Sequence, residues 1–143
     1  MKSKGLILSC FLVFTAAVHA GEQVASPRGS RGLLPFSLTV GNDGTYALDC
    51  QATTAHWYSV TLGQVDAGKQ LSARLWKDPA SGEVIILNHH QDRMPVQRIW
   101  CGAAGQSWQT RSEVRLPTER QQPPQSIAMI CAYRVGPIDC RPA

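Results

Sequence analysis

His89 and His90 stand side by side, with Asp92 and Met94 just beyond them and His56 upstream. Imidazole, carboxylate and thioether groups are the donors of a copper or zinc site. Adjacent residues of an extended chain point to opposite faces, so one ion could take both rings only where the loop bends them together. A solvated loop of hydrogen-bonded histidines is therefore the expectation, and neither a metal nor a cofactor is assigned. Nucleophilic chemistry has less to build on. Gly105-Gln106-Ser107-Trp108-Gln109 lacks the second glycine of a nucleophile elbow. Glu83, Asp92 and Glu113 supply carboxylates, but nothing in their placement sets two of them across a glycosidic bond. No catalytic residue is assigned, and the expectation is a non-enzymatic protein.

Recognition has more candidates. Trp57 and Trp76 fall out of phase with the apolar residues of their own strands, and exposed tryptophans stack on sugars or anchor protein interfaces. Two polar loops, Asn88 to Arg93 and Pro117 to Ser126, are the other candidate contact surfaces, because loops on a rigid β-scaffold commonly carry recognition. The candidate binding residues are Trp57, Trp76, His89, His90, Asp92, Arg93, Glu119 and Arg120.

The ends of the chain and its cysteines set the compartment. Lys2 and Lys4, an apolar run from Gly5 to Val18, and the small-residue stretch Val18-His19-Ala20 are the three parts of an export signal. The run is shorter than the ~20 apolar residues that span a bilayer. Residues 1–20 are expected to be a signal peptide cut before Gly21. Processing at Cys10 would leave Phe11 to Val18 attached, which disfavours a lipoprotein. Loss of Cys10 leaves four of the five cysteines, Cys50, Cys101, Cys131 and Cys140. An even set in an exported chain reads as two disulfides in the periplasm or outside the cell. No C-x-x-C pair offers a zinc or redox site. Three pairings are formally possible. A two-residue turn at Val135-Gly136 sets Cys131 opposite Cys140, within disulfide range, which favours Cys131–Cys140 and leaves Cys50–Cys101.

Removing Lys2 and Lys4 lowers the formal charge from +4 to +2, with the remaining arginines scattered. Nucleic-acid binding has little support in such a distribution. No membrane span is expected after cleavage.

These residues must be positioned by strands. Leu71, Ala73 and Leu75 alternate with Ser72, Arg74 and Trp76, the Asp78-Pro79-Ala80-Ser81-Gly82 segment reverses the chain, and Glu83 to Leu87 is apolar on both faces. That is a hairpin with a doubly covered second strand. Phe36, Leu38 and Val40 alternate ahead of a Gly41-Asn42-Asp43-Gly44 turn, predicting a first hairpin with Tyr46, Leu48 and Cys50. Residues 56–62, 94–101, 108–116 and 127–135 show the same two-residue period. No stretch of ten residues has a helical period. The fold class expected is all-β, a small single-domain β-sandwich or barrel of about eight antiparallel strands braced by two disulfides, over residues 33–143. Residues 21–32 read as a flexible N-terminal segment.

Together these features describe an exported protein-binding domain. An inhibitor or immunity-type protein that blocks a hydrolytic enzyme or toxin is the leading expectation, its partner another protein. A glycan-binding or adhesin/toxin subunit is the alternative, and a periplasmic metal-binding protein the next.

Overall fold

The computed structural model describes residues 26–143, so the expected signal peptide and residues 21–25 lie outside the described residues. The described chain holds β1 (Leu34–Asn42), β2 (Leu48–Thr54), β3 (Ser59–Val65), β4 (Gln70–Lys77), β5 (Val84–Leu87), β6 (Arg93–Ala103), β7 (Ser112–Glu113), β8 (Ile127–Ala132) and β9 (Asp139–Pro142). They form one sheet in the order β3-β2-β6-β5-β4-β1-β8-β9, with β7 added to β6. The fold is all-β. Both expected disulfides are present, Cys50–Cys101 between facing residues of β2 and β6, and Cys131–Cys140 between facing residues of β8 and β9.

One strand lets a single sheet enclose a core. Arg93–Pro95 at the start of β6 pair with β5, whereas its residues from Val96 onward pair with β2. Pro95 has no N–H to give to a ladder, and it sits where the strand changes partners. From both sides of this corner alternate residues turn inward: Leu38 and Val40, Leu48 and Cys50, Leu75, Val84, Ile99, and Cys131 meet in one buried cluster. The two-residue period of a pleated strand is what puts them on the same face.

The doubly apolar β5 is explained by a second layer. Val84 belongs to the core, while Ile85 is only 3% exposed and lies outside that cluster. Ile85 lines a small concavity with Ser26, Pro27 and Pro95, which places the N-terminal segment beside the outer face of the strand. The lead-in expected to be flexible is tied down from Arg28 onward, by contacts described below.

Three sequence expectations change. The first hairpin does not form, because β1 pairs with β4 and β8 while β2 pairs with β3 and β6. Asn42 is the cause. It is buried, and its side-chain amide donates to the carbonyls of Tyr46 and Val65, both at 2.8 Å, holding the chain as it crosses from one part of the sheet to another. The strands are not all antiparallel either: β1 and β8 run parallel, from Leu38 opposite Ile127 to Asn42 opposite Cys131. A long connection between them permits this, where a tight turn would not. From Thr110 on, the stretch expected to be a strand keeps an alternation in burial, with Thr110 and Val114 inside and Glu113 and Arg115 outside, but Trp108, in the same phase, is exposed and only Ser112–Glu113 count as strand. Trp108 to Thr110 are spent in a turn, where the Thr110 hydroxyl donates to the Gln106 carbonyl at 2.9 Å and accepts the Ala103 N–H at 2.8 Å.

The β4–β5 turn is built by Asp78, whose carboxylate accepts the Ala80 N–H and whose backbone N–H donates to the Glu83 carbonyl. Gly82 closes it at φ 79°. A methyl group there would collide with the Thr118 carbonyl oxygen, because the Pro117–Ser126 loop lies against this turn. Gln121 N–H donates to Pro79 O at 3.0 Å and Arg120 Nε to Ser81 O at 3.2 Å.

Two expected outcomes test this construction. Chain-entropy arguments for sequence separations of 51 and 9 residues predict a loss of about 4 kcal/mol for the Cys50→Ser/Cys101→Ser pair and about 3 kcal/mol for Cys131→Ser/Cys140→Ser. Urea unfolding should return that order, and a larger loss from the shorter loop would contradict it. Gly82→Ala combines left-handed backbone with a steric clash and should cost about 2 kcal/mol. An unchanged unfolding midpoint would show that the Pro117–Ser126 loop is not seated on the turn.

Candidate functional site

The expected contact residues gather only in part. Trp57, His89, His90, Asp92 and Arg93 belong to two segments that flank one cleft at the β6 corner. Trp76 does not: it is half-buried on the outer face of β4, in a shallow wall with Pro35, Ser37 and Arg74. Glu119 and Arg120 are in the Pro117–Ser126 loop, where Arg120 is engaged with Ser81.

The first segment joins β2 to β3. Ala55–Trp57 forms a single 3-10 turn, closed when Thr54 N–H donates to the Tyr58 carbonyl at 2.9 Å. Both His56 and Trp57 sit at φ 64°, a left-handed conformation that costs side-chain-bearing residues roughly 1–2 kcal/mol each. The consequence is geometric. Trp57 is 86% exposed and Tyr58 68%, side by side at the tip of a two-stranded arm. Neither ring packs on a neighbouring aromatic among the described residues. A strained turn that displays an apolar ring to water stabilises nothing in the free molecule.

The second segment is Asn88 to Asp92, the link from β5 to β6. Asn88 organises it: the side-chain oxygen accepts the N–H groups of His90 and Asp92, both at 2.9 Å, and the side-chain amide donates to Asp92 Oδ2 at 3.1 Å. Short amide side chains mimic backbone in this way, which is why Asn nucleates loops. His89 and His90 are left exposed with their rings 3.7 Å apart. Asp92 and Arg93 are used internally. Arg28 Nε donates to Asp92 Oδ1 at 2.7 Å, Gly29 N–H to Gln91 O at 2.8 Å, and Arg93 Nε to Gly29 O at 2.8 Å. These bonds strap residues 28–31 onto the loop.

Between the segments lies a cleft of about 530 Å³. Its walls include Thr54, Ala55, His56 and Tyr58 on one side and Asn88, Met94 and Pro95 on the other, with Ser26 at its margin. The lining is largely apolar. Among the described residues no three His, Cys, Asp or Glu side chains come together to hold a metal ion, so a metal reading has no ligand set there. No two carboxylates share the cleft wall either.

Tyr58 and the cleft itself were missed from sequence. Tyr58 falls in phase with Val60 and Leu62, which predicts burial, but the turn at His56–Trp57 places it before the strand begins. A second aromatic group sits on the outer face of β6 and β7. Trp100 packs edge-on against Trp108 with centroids 5.2 Å apart, and the Arg111 guanidinium lies 3.8 Å over the Trp108 ring while bonding to Glu113. These cation–π and ion-pair contacts satisfy one another, which leaves this group less available than Trp57.

No protein-family model matches the chain, and no curated protein sequence does. Among the described residues no helix is long and apolar enough to cross a membrane. The two disulfides are the bonds of an oxidising environment.

The Asn88 amide, and next to it the Arg28 guanidinium, hold the Asp92 carboxyl below the usual carboxylate range. A folded-state pKa lowered in this way stabilises the strap above the unfolded value, about 3.9, and that contribution disappears as pH falls through the folded value. Hydrogen exchange at the Gly29 amide is therefore expected to accelerate as pH is taken below the carboxylate range, beyond the intrinsic pH dependence. Asp92→Asn should show the faster exchange already at neutral pH. Equal protection in both proteins would show that Asp92 does not hold the strap.

Proposed function

We propose that this chain is an exported, non-enzymatic protein-binding domain, an inhibitor or immunity-type protein of the periplasm or cell exterior that blocks a hydrolytic enzyme or toxin. The observation that carries the reading is Trp57, an indole 86% exposed on a left-handed turn. A projecting tryptophan is the anchor type that dominates protein interfaces, and a turn backbone that is already formed has less entropy to lose on binding. The convex arm would enter the partner's cleft. Tyr58, His89 and His90 flank it as the surrounding contact surface. Paired cysteines and an even cysteine count after signal removal support the compartment.

A second reading, glycan binding, is favoured by one observation: Tyr58 lines a cleft together with His56 and Asn88, so a sugar ring could stack and hydrogen-bond at once.

Trp57→Ala separates function from stability. Truncation of a central tryptophan typically costs at least ~2 kcal/mol of binding, roughly thirtyfold in affinity. Envelope proteins retained by the immobilised wild-type protein should be lost on the variant, while its melting temperature is unchanged. Stoichiometric addition of the wild-type protein should inhibit a hydrolytic activity of the retained partner. Retention by both proteins, or retention without inhibition, counts against the inhibitor reading. Indole fluorescence quenched by oligosaccharides with no protein retained would favour the glycan reading.

A further inference from the structure

Lys77 closes β4 and continues the inward phase of Leu71, Ala73 and Leu75. It is the bulkiest fully buried side chain among the described residues, 0% exposed. Its ammonium group donates to the Gln122 carbonyl at 3.0 Å. Among the described residues no carboxylate lies within ion-pair distance of it. An ammonium has three N–H groups, and one carbonyl takes one of them. Burying a cation without a counter-charge is among the costliest arrangements in a protein, and natural sequences keep it where something answers the charge.

Lys77 also forms part of the wall of a cavity of about 370 Å³, together with Arg115, Leu116, Gln122 and Ile127. We propose that this cavity binds a small organic carboxylate with a short apolar body. The carboxylate takes the place of the Gln122 carbonyl on the Lys77 ammonium, which that carbonyl and its loop shut off from solvent in the free protein. Arg115 adds a second cation at the wall, and the body lies against Leu116 and Ile127. A single buried cation beside Leu116 and Ile127, in a wall otherwise of mixed polarity, suits a monoanion better than a phosphate, whose second charge would need more donors. The cavity shares no wall residue with the cleft beside Trp57, so the inference stands apart from the inhibitor reading. Glu119 borders the same cavity. Its carboxylate is the internal competitor for the site.

Calorimetric titration of the full chain with hexanoate and with acetate, at ionic strength held constant with chloride, tests this directly. Hexanoate should saturate at one site, with acetate roughly tenfold weaker because it lacks the methylenes that would be buried. Lys77→Met, which preserves length and burial, should abolish saturation, and Glu119→Gln should tighten binding. Absence of saturable hexanoate binding across the millimolar range, or equal binding by Lys77→Met, overturns the proposal. Should Lys77→Met fail to fold, the nitrogen resonance of the Lys77 ammonium in the wild-type protein decides. A shift that saturates with hexanoate supports the site, and an unmoved resonance overturns it.

Discussion

Cys50 and Cys101 face one another across β2 and β6 with Cα atoms 4.1 Å apart, in the strand on which both halves of the sheet meet. Register is what this bond controls. A slip of one residue between two strands sends every inward side chain to the outer face, so Leu48, Ala52 and Ile99 depend on the same pairing. Because β6 also carries the change of partner at Pro95, fixing it against β2 fixes the angle at which the remaining strands fold over the core. Hydrophobic burial supplies the driving force, and the covalent link selects which of the nearby registers receives it.

The two ends of the fold are finished differently. At one end the Pro117–Ser126 loop is drawn onto the Asp78–Gly82 turn and over Lys77 by contacts to Pro79, Ser81 and the lysine itself. At the corner end, Asn88 builds the loop and Arg28, Asp92 and Arg93 bind the N-terminal segment to it. Among the described residues, the rings of His89, His90, Trp57 and Tyr58 take part in none of these bonds and stand exposed at this corner.

The fold class and both cross-links were legible because they rest on local regularities: a two-residue period, and a hairpin that sets Cys131 opposite Cys140. The exposure of Trp57 was expected from strand phase but has another cause, since it lies in the turn before β3, where the in-phase Tyr58 is exposed as well. Partners distant in sequence were not. Nothing near Asn42 announces that its amide will reach Val65, and nothing near Arg28 points to Asp92, 64 positions on. The left-handed turn at His56–Trp57 was hidden because no glycine marks it. Lys77 had a readable signal in its phase with Leu75, but a lysine at a strand end is ordinarily taken for the point where the chain returns to water.

The order of the cysteines along the chain carries a consequence for biogenesis. Among the described residues each pairs with the next to appear, Cys50 with Cys101 and Cys131 with Cys140, with no interleaving. A polypeptide threaded through a membrane from its amino end and oxidised as it emerges would join them correctly in sequence, without a reshuffling catalyst. Strand β1 has the opposite problem. Its parallel neighbour β8 and the Ser126 hydroxyl that binds Ser37 lie near the far end of the chain and are made last. Until then one edge of the first strand stands open, and an escort that shields exposed strand edges would be of most use during that interval.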